Sequence, residues 1–304
     1  MKFTTPILFM TFNRLDTVKK VFTEIRKAKP QNLFLASDGP RTAKPGEVEK
    51  VLEVRRYLDS QIDWDCSVQR LYREENLGCK NAVSGAISWF FGQVEAGIIL
   101  EDDCIPDPSF FPYCEELLER YKADPKVMMI SGNQFLTALK QPESYYFTKF
   151  AHIWGWASWS RAWSLYDINL AGWPENHFAI KANSGLPAYA FLDFKRYFFK
   201  VKQNELNTWD FQWVYTIWAN QGLSVAPKSN LISNIGFDEN ATHTLHGNSP
   251  LDENSVLSLK FPMVHPKDIV QSRQIDASEA SKLFIHTGLL TRIKSKLSKL
   301  LKKS

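Results

Sequence analysis

The sequence predicts an α/β protein built on a mostly parallel sheet with helices on both faces. Three observations carry this. Short apolar runs alternate with amphipathic segments through the first half of the 304 residues, which is the alternation that strand–helix–strand units produce. No Pro-, Gly- or Ser-rich linker divides the chain, so the aromatic texture that begins near Tyr145 belongs to the other half of one domain. Charged and polar residues gather where apolar strands end, which is where open parallel sheets bind ligands.

Taken in order, residues 6–11 (Pro-Ile-Leu-Phe-Met-Thr) form a buried strand, and Asn13 or Asp16 is suited to cap the helix that follows. Val18, Val21, Phe22 and Ile25 recur there at helical spacing. Residues 32–36 are the next strand, ending at the turn Ser37-Asp38-Gly39-Pro40. A helix over 47–58, a strand over 66–71, a helix over 81–91 and a wholly apolar strand over 97–100 come next. They are followed by a helix over 110–122 and a strand over 127–131. Helices over 191–201 and 209–220 lie in the aromatic half, which holds eight of the ten tryptophans between Trp154 and Trp218. Residues 237–254 are polar and turn-rich, and 289–301 form a terminal helix. There is no internal repeat.

The net charge of +4 is unevenly placed. Residues 289–304 carry six cations (Arg292, Lys294, Lys296, Lys299, Lys302, Lys303) and no acid, and taking six from +4 leaves −2 on the rest. A faintly acidic body lacks the basic face that nucleic-acid binding needs, so no nucleic-acid partner is expected. In the tail Leu289, Ile293, Leu297 and Leu301 recur every four residues between the cations. That is the pattern of an amphipathic helix lying on an anionic membrane surface, with each cation contributing on the order of 1 kcal/mol, or of a helix docking its leucines on the protein itself. No apolar run reaches the roughly 18–20 residues that span a bilayer, and the N-terminus does not read as a signal peptide. Cys66, Cys79, Cys104 and Cys114 show no C-x-x-C spacing and are expected as reduced thiols of a cytoplasmic protein, peripheral at the inner membrane face.

The sharpest local feature is Gly97-Ile98-Ile99-Leu100-Glu101-Asp102-Asp103. Three consecutive carboxylates repel one another, and burying them unpaired is costly. At the end of a buried strand they invite a hard divalent cation, Mg²⁺ or Mn²⁺, whose shell substrate phosphates commonly complete. Strand alternation places Glu101 and Asp103 on one face and Asp102 on the other. Arg14, after the first strand, suits a pyrophosphate or a base. Asp38, after the second, can accept hydrogen bonds from a base or ribose. In Asn76-Leu77-Gly78-Cys79-Lys80-Asn81, free amides at a helix start, with Lys80, suit a phosphate or a sugar. Trp154-Gly155-Trp156-Ala157-Ser158-Trp159 divides between core packing and stacking on sugar rings.

These pieces, in their order, resemble the GT-A glycosyltransferases, and among them the N-acetylglucosaminyltransferase I-like group. The shared segments are Pro6-Ile7-Leu8 with Asn13-Arg14, Ser37-Asp38, Glu101-Asp102-Asp103 with Pro108-Ser109-Phe110-Phe111, and Lys122-Ala123-Asp124-Pro125. Further on they include Gly155-Trp156-Ala157-Ser158-Trp159 and Trp209-Asp210-Phe211-Gln212-Trp213. The resemblance spans roughly residues 6–237 and implies a GT-A (Rossmann-like) fold. It implies Asp103 as the direct metal ligand, Glu101 and Asp102 at the donor sugar and ribose, and Arg14 and Asp38 in a nucleotide pocket, most simply for uridine. It also implies Asp210 as catalytic base, although Phe211 stands where the group has a second acid. Lys80 and Gly155 would face the donor, Trp156 and Trp209 the acceptor, and His243 would add a metal ligand.

The expected protein is therefore an inverting, Mn²⁺- or Mg²⁺-dependent glycosyltransferase. It would take a nucleotide-sugar donor to a glycan or lipid-linked saccharide acceptor in surface-polysaccharide synthesis. Residues 1–237 would form the catalytic domain, 238–287 a polar loop and extension, and 288–304 the membrane-associating helix. The alternatives are a sugar-1-phosphate nucleotidyltransferase or a noncatalytic carbohydrate- or membrane-binding protein of the same fold. Against the first, Thr11-Phe12-Asn13-Arg14 is not the glycine-rich loop that class needs.

Overall fold

A computed structural model describes residues 3–136, 139–236 and 255–288. The chain begins with β1 (Ile7–Thr11), α1 (Leu15–Ala28), β2 (Asn32–Ser37), α2 (Glu47–Gln61) and β3 (Ser67–Tyr72). It continues through α3 (Gly78–Phe91), β4 (Ala96–Glu101), β5 (Cys104–Pro106), α4 (Phe110–Arg120) and β6 (Val127–Ser131). The aromatic half supplies β7 (Tyr145–Thr148), β8 (Trp156–Trp159), α5 (Ser160–Trp163), α6 (His177–Ser184), α7 (Ala188–Lys202) and α8 (Asp210–Ala219). β9 (Leu223–Pro227), β10 (Ile232–Asn234) and α9 (Arg273–Gly288) complete the described chain.

One eight-stranded sheet runs in the order β3-β2-β1-β4-β8-β6-β9-β7 among the described residues. β3, β2, β1 and β4 pair in parallel, as do β6 and β9, while β8 and β7 run against their neighbours. The expected α/β class, a mostly parallel sheet flanked by helices, is thus the one observed. Both halves of the chain share this sheet, because β8 and β6 continue it beyond β4. β10 pairs antiparallel with β5 in a separate two-stranded ribbon.

The alternation along each strand sorts the core. Ile7, Phe9, Leu33, Leu35, Ile98 and Leu100 face a layer built on α1, α2 and α4. Leu8, Met10, Phe34, Ala36 and Ile99 face the layer of α3 and the aromatic helices. Strands buried on both faces must be apolar throughout, and that is why β1 and the body of β4 read as unbroken apolar runs. α1 starts differently from expectation. Its cap position is Arg14, with no side-chain capping bond, because the Asn13 amide instead donates to Glu47 Oε1 at 3.0 Å.

The helix α9 lies beyond the elements anticipated, and it docks by charge as much as by oil. Asp276 and Glu279, both 0% exposed, point from α9 into the body. Asp276 accepts from Thr148 Oγ1 at 2.5 Å, the Lys149 amide at 3.1 Å and Gln271 Nε2 at 2.7 Å. Burial pushes the Asp276 carboxyl up to about 6 despite these donors. Glu279 meets the buried His152, whose Nε2 lies 2.5 Å from Oε1. The helix pattern was hidden from sequence because these acids occupy positions where an amphipathic pattern would place apolar residues. The predicted tail helix and the polar stretch 237–254 lie outside the described residues. No helix among the described residues is long and apolar enough to cross a membrane, and all four cysteines are unpaired.

Two stability predictions follow from buried charge. Removing the imidazole in His152→Ala leaves the buried Glu279 carboxyl without the ring nitrogen beside its Oε1 and should cost about 1–3 kcal/mol in urea unfolding; a loss under about 1 kcal/mol would show the pair to be dispensable. Glu47, buried at the start of α2, accepts from Arg41 Nη2 at 2.5 Å. Arg41 holds its carboxyl down to about 2, from an ordinary 4.5. A depressed acid contributes stability above its unfolded value and loses it as pH falls through the folded one. Glu47→Gln should therefore cost about 1–3 kcal/mol at pH 7, allowing for Arg41's exposure. Parent and variant should converge in unfolding midpoints as the pH is lowered toward 2.

Candidate active site

A cavity of about 310 Å³ opens at the carboxyl ends of β1, β2 and β4. β1 is flanked by β2 on one side and β4 on the other, so the cavity sits where the strand order reverses and loops diverge, a natural crevice in this architecture. Its two ends differ in charge. Glu101, Asp102 and Asp103 line it beyond β4, and Arg41 and Arg73 line it on the β2–β3 side; the apolar Ala82, Val83 and Ala86 of α3 line it too.

At the acidic end, β4 stops at Glu101 and the chain turns through Asp102-Asp103 before β5. This turn overrides the strand alternation expected for the three acids. Asp102 and Asp103 point to the same partner: Arg14 Nη2 donates to Asp103 Oδ2 at 2.8 Å and also to Asp102 Oδ1. Arg14 is within reach because β1 and β4 pair in parallel with Met10 opposite Glu101. Burial opposes its charge, but Asp102 and Asp103 hold the guanidinium firmly protonated. Arg14 is thus spent largely on the acids, where a nucleotide contact was expected.

One arginine does not neutralise three carboxylates. Burial, reinforced by the charges of Asp103, Asp102 and Asp210, pushes Glu101 up to about 8. Burial likewise raises Asp102, to about 6, against the pull of Arg14. Asp102 Oδ2 is buried with no hydrogen-bond partner among the described residues. Asp103 is closed in by Gly236, where a Cβ would stand 2.3 Å from Oδ2, and its carbonyl accepts from the Ile235 amide at 2.9 Å. Among the described residues no three acidic, His or Cys groups form a ready metal cage. An orphaned carboxylate oxygen and a deficit of positive charge nevertheless fit a hard cation held by one or two carboxylates and completed by phosphate oxygens.

At the opposite end Asp38 is already occupied. Its carboxylate accepts from the amides of Gly39, Leu77 and Gly78 at 3.0–3.2 Å and from Asn76 Nδ2 at 3.0 Å. It therefore pins the start of α3, and the amides expected to be free for a phosphate are taken. The Lys80 amide is taken too, donating to Asn207 Oδ1 at 2.9 Å, and Lys80 does not line the cavity. Arg73 does, and it follows β3 as Arg14 follows β1. Its Nη1 donates to the Ala82 carbonyl at 3.0 Å, and a Cβ at Gly85 would come within 2.9 Å of its Nη2.

Asp210 is the first residue of α8 and takes a hydrogen bond from the Thr208 hydroxyl. Its charge is felt by Glu101 and by Cys79, a cavity-lining thiol that burial drives up to about 12. The expected acceptor contacts fare differently. Trp156 and Trp209 are 0% and 2% exposed, stacked on each other at 5.8 Å within a cluster that includes Trp163 and Trp213. They are core, and of this segment Trp154 is the ring that lines the cavity. Gly155, at φ +62°, has Ile232 2.6 Å and Leu100 3.2 Å from where a Cβ would be. Its missing side chain makes room for protein, where a donor sugar was expected. His243 lies outside the described residues.

No protein-family model matches the chain, and no curated protein matches it. Among solved structures it is similar to the mannosyltransferase PcManGT from Pyrobaculum calidifontis, in complex with GDP-Man and Mn²⁺. That likeness is 14% identical over 71% of this chain and 73% of the other, with a TM-score of 0.35. A 9% identical likeness to S. aureus TarS 1-349 covers 75% of this chain and 59% of the other, with a TM-score of 0.40. A UDP-glucose pyrophosphorylase complexed with UDP-glucose is 10% identical over 74% and 90%, with a TM-score of 0.36. The neighbours are thus glycosyltransferases and nucleotidyltransferases, too distant in sequence and shape to carry chemistry to this chain.

Proposed function

We propose that the chain is a divalent-metal-dependent, inverting glycosyltransferase of the GT-A type, moving a sugar from a nucleotide diphosphate, most simply a UDP-sugar, to a glycan acceptor. The observation that carries this reading is the under-neutralised acidic end of the cavity, set within electrostatic range of a second, separate carboxylate, Asp210. Asp103 would hold Mn²⁺ or Mg²⁺, with Glu101 and Asp102 beside it toward the ribose and donor sugar. When bound, the cation supplies positive charge to a departing diphosphate. The nucleoside would occupy the opposite end, between the apolar turns of α3 and the Asp38-anchored loop, with Arg73 as an additional donor.

The chain's own residues account for the remaining steps. Arg14 fixes Asp102 and Asp103 in direction by donating to both. Trp154 and the apolar wall of α3 keep water from the donor end. Asp210, at the positive end of the α8 dipole and oriented by Thr208, would take the proton from an acceptor hydroxyl. With Asp210 as base for the acceptor hydroxyl and no covalent step through another carboxylate, transfer would proceed with inversion. The cationic residues 289–304, which lie outside the described residues, would hold the enzyme at an anionic membrane surface and so near a lipid-linked acceptor.

A screen of nucleotide-sugar hydrolysis should find at least one donor turned over with Mn²⁺ and not after chelation. Asp103→Ala should lose at least about 100-fold in kcat, and Asp210→Asn a comparable factor in transfer. Metal-independent turnover, or full activity in Asp103→Ala, would reject the proposal. Truncation after Thr287 should abolish co-sedimentation with phosphatidylserine vesicles; unchanged sedimentation would remove the membrane anchor from the proposal.

A further inference from the structure

Trp154 lines the cavity, and the contacts that hold it there lead back to α9. The buried Phe135, which follows β6, sets its ring perpendicular to Trp154, with centroids 5.1 Å apart and planes at 87°. The same ring stands perpendicular to His152 at 4.6 Å and 85°. The two segments are also bonded through the backbone. Ser131 Oγ donates to the His152 carbonyl at 2.7 Å, and the Gly132 amide donates to the Gly155 carbonyl at 2.8 Å.

α9 grips this assembly at successive turns. Asp276 holds the end of β7 at Thr148 Oγ1 and the Lys149 amide. Three residues on, Glu279 meets His152 Nε2. Three further on, Lys282 Nζ donates to the Phe135 carbonyl at 2.7 Å. Phe284 stacks on Phe150, which stacks in turn on His152. Residues three apart are neighbours on a helix surface, so the three charged groups form one stripe along α9. A helix placed only to cover apolar surface would meet the body through apolar side chains. Polar contacts of this kind constrain direction as well as distance. The last two end on His152, two residues before Trp154, and on Phe135, whose ring packs against it.

We propose that Glu279 and Lys282 are positioning residues of the cavity: acting through His152 and Phe135, they set the ring of Trp154 in its wall. Docking of α9 then governs how tightly the cavity holds a nucleoside diphosphate, although α9 contributes no residue to the lining. A wall ring free to change rotamer must be ordered when a ligand binds, which costs affinity. The proposal rests on the reading that places the donor in this cavity.

The full chain labelled with 5-fluorotryptophan gives a fluorine resonance for each tryptophan, and the one missing from Trp154→Phe belongs to Trp154. Lys282→Met keeps the aliphatic stem and removes the donor. It should move the Trp154 resonance by more than its linewidth while that of Trp64, which packs on Phe22 of α1, stays in place. Lys282→Arg should restore the parent position. An unmoved Trp154 resonance in Lys282→Met, or one that Lys282→Arg fails to restore, would overturn the coupling. Should Lys282→Met unfold, Trp64 would shift as well, and the isosteric Glu279→Gln then decides by the same criterion. A second arm titrates UDP and GDP, each with Mn²⁺, by calorimetry. Lys282→Met should raise Kd about three- to tenfold. Trp154→Ala should raise it at least as much, and the double variant no more than Trp154→Ala, because both act through one ring. Additive losses, or unchanged affinity in Lys282→Met, would overturn the proposal. Binding of neither nucleotide by the parent would reject the donor reading instead, and the fluorine arm would still decide the coupling.

Discussion

The contact on which the site depends is the bridge from Arg14 to Asp102 and Asp103. β4 is buried on both faces and delivers three acids at its end, an arrangement that repulsion and desolvation would otherwise expel. It is tolerated because the parallel neighbour β1 ends beside it and the next turn supplies one guanidinium. Arg14 does two things at once. It makes the acidic turn foldable, and it falls short of neutralising it. The orphaned oxygen of Asp102 and the carboxylates that Arg14 leaves uncompensated are what the proposed cation would meet. A second arginine there would give a tighter local structure and a poorer cation site.

The opposite half of the molecule explains why Asp210 stays where it is. α8 packs through Trp213 and Trp218, both fully buried, and Trp209 at its cap stacks on Trp156 of β8. A helix start carried on such a cluster has little freedom to move, and positional precision is what proton transfer demands. Tryptophan density is thus an investment in rigidity, and most of its ring faces are unavailable to ligand. Trp154, in contact with Phe135, is the tryptophan of that half that lines the cavity.

The strands and helices of the first half were legible because buried parallel strands and amphipathic helices leave opposite signatures, one continuous and one periodic. The acidic end was legible as well: carboxylates after an apolar strand have few structural justifications. Contacts made across the fold were not. Asp38 reads in sequence as a free acceptor after a strand, yet the start of α3, some forty residues later, fills its carboxylate with donors. Asn13, a natural cap for α1, is drawn instead to Glu47. α9 was obscured because its inward face carries Asp276 and Glu279, whose partners Thr148 and His152 are supplied by a remote strand and loop.

Sequence alone determined the class of architecture, the strand ends at which chemistry collects, and the uneven charge between body and tail, since each follows from local periodicity or composition. Tertiary structure decided what each polar group is free to do. A carboxylate, an amide or an aromatic ring has a fixed repertoire, and whether it is spent on the protein or left for a ligand depends on neighbours distant in the chain. That allocation took Arg14 for the acids and buried Trp156 and Trp209. It left Arg73 and Trp154 lining the cavity.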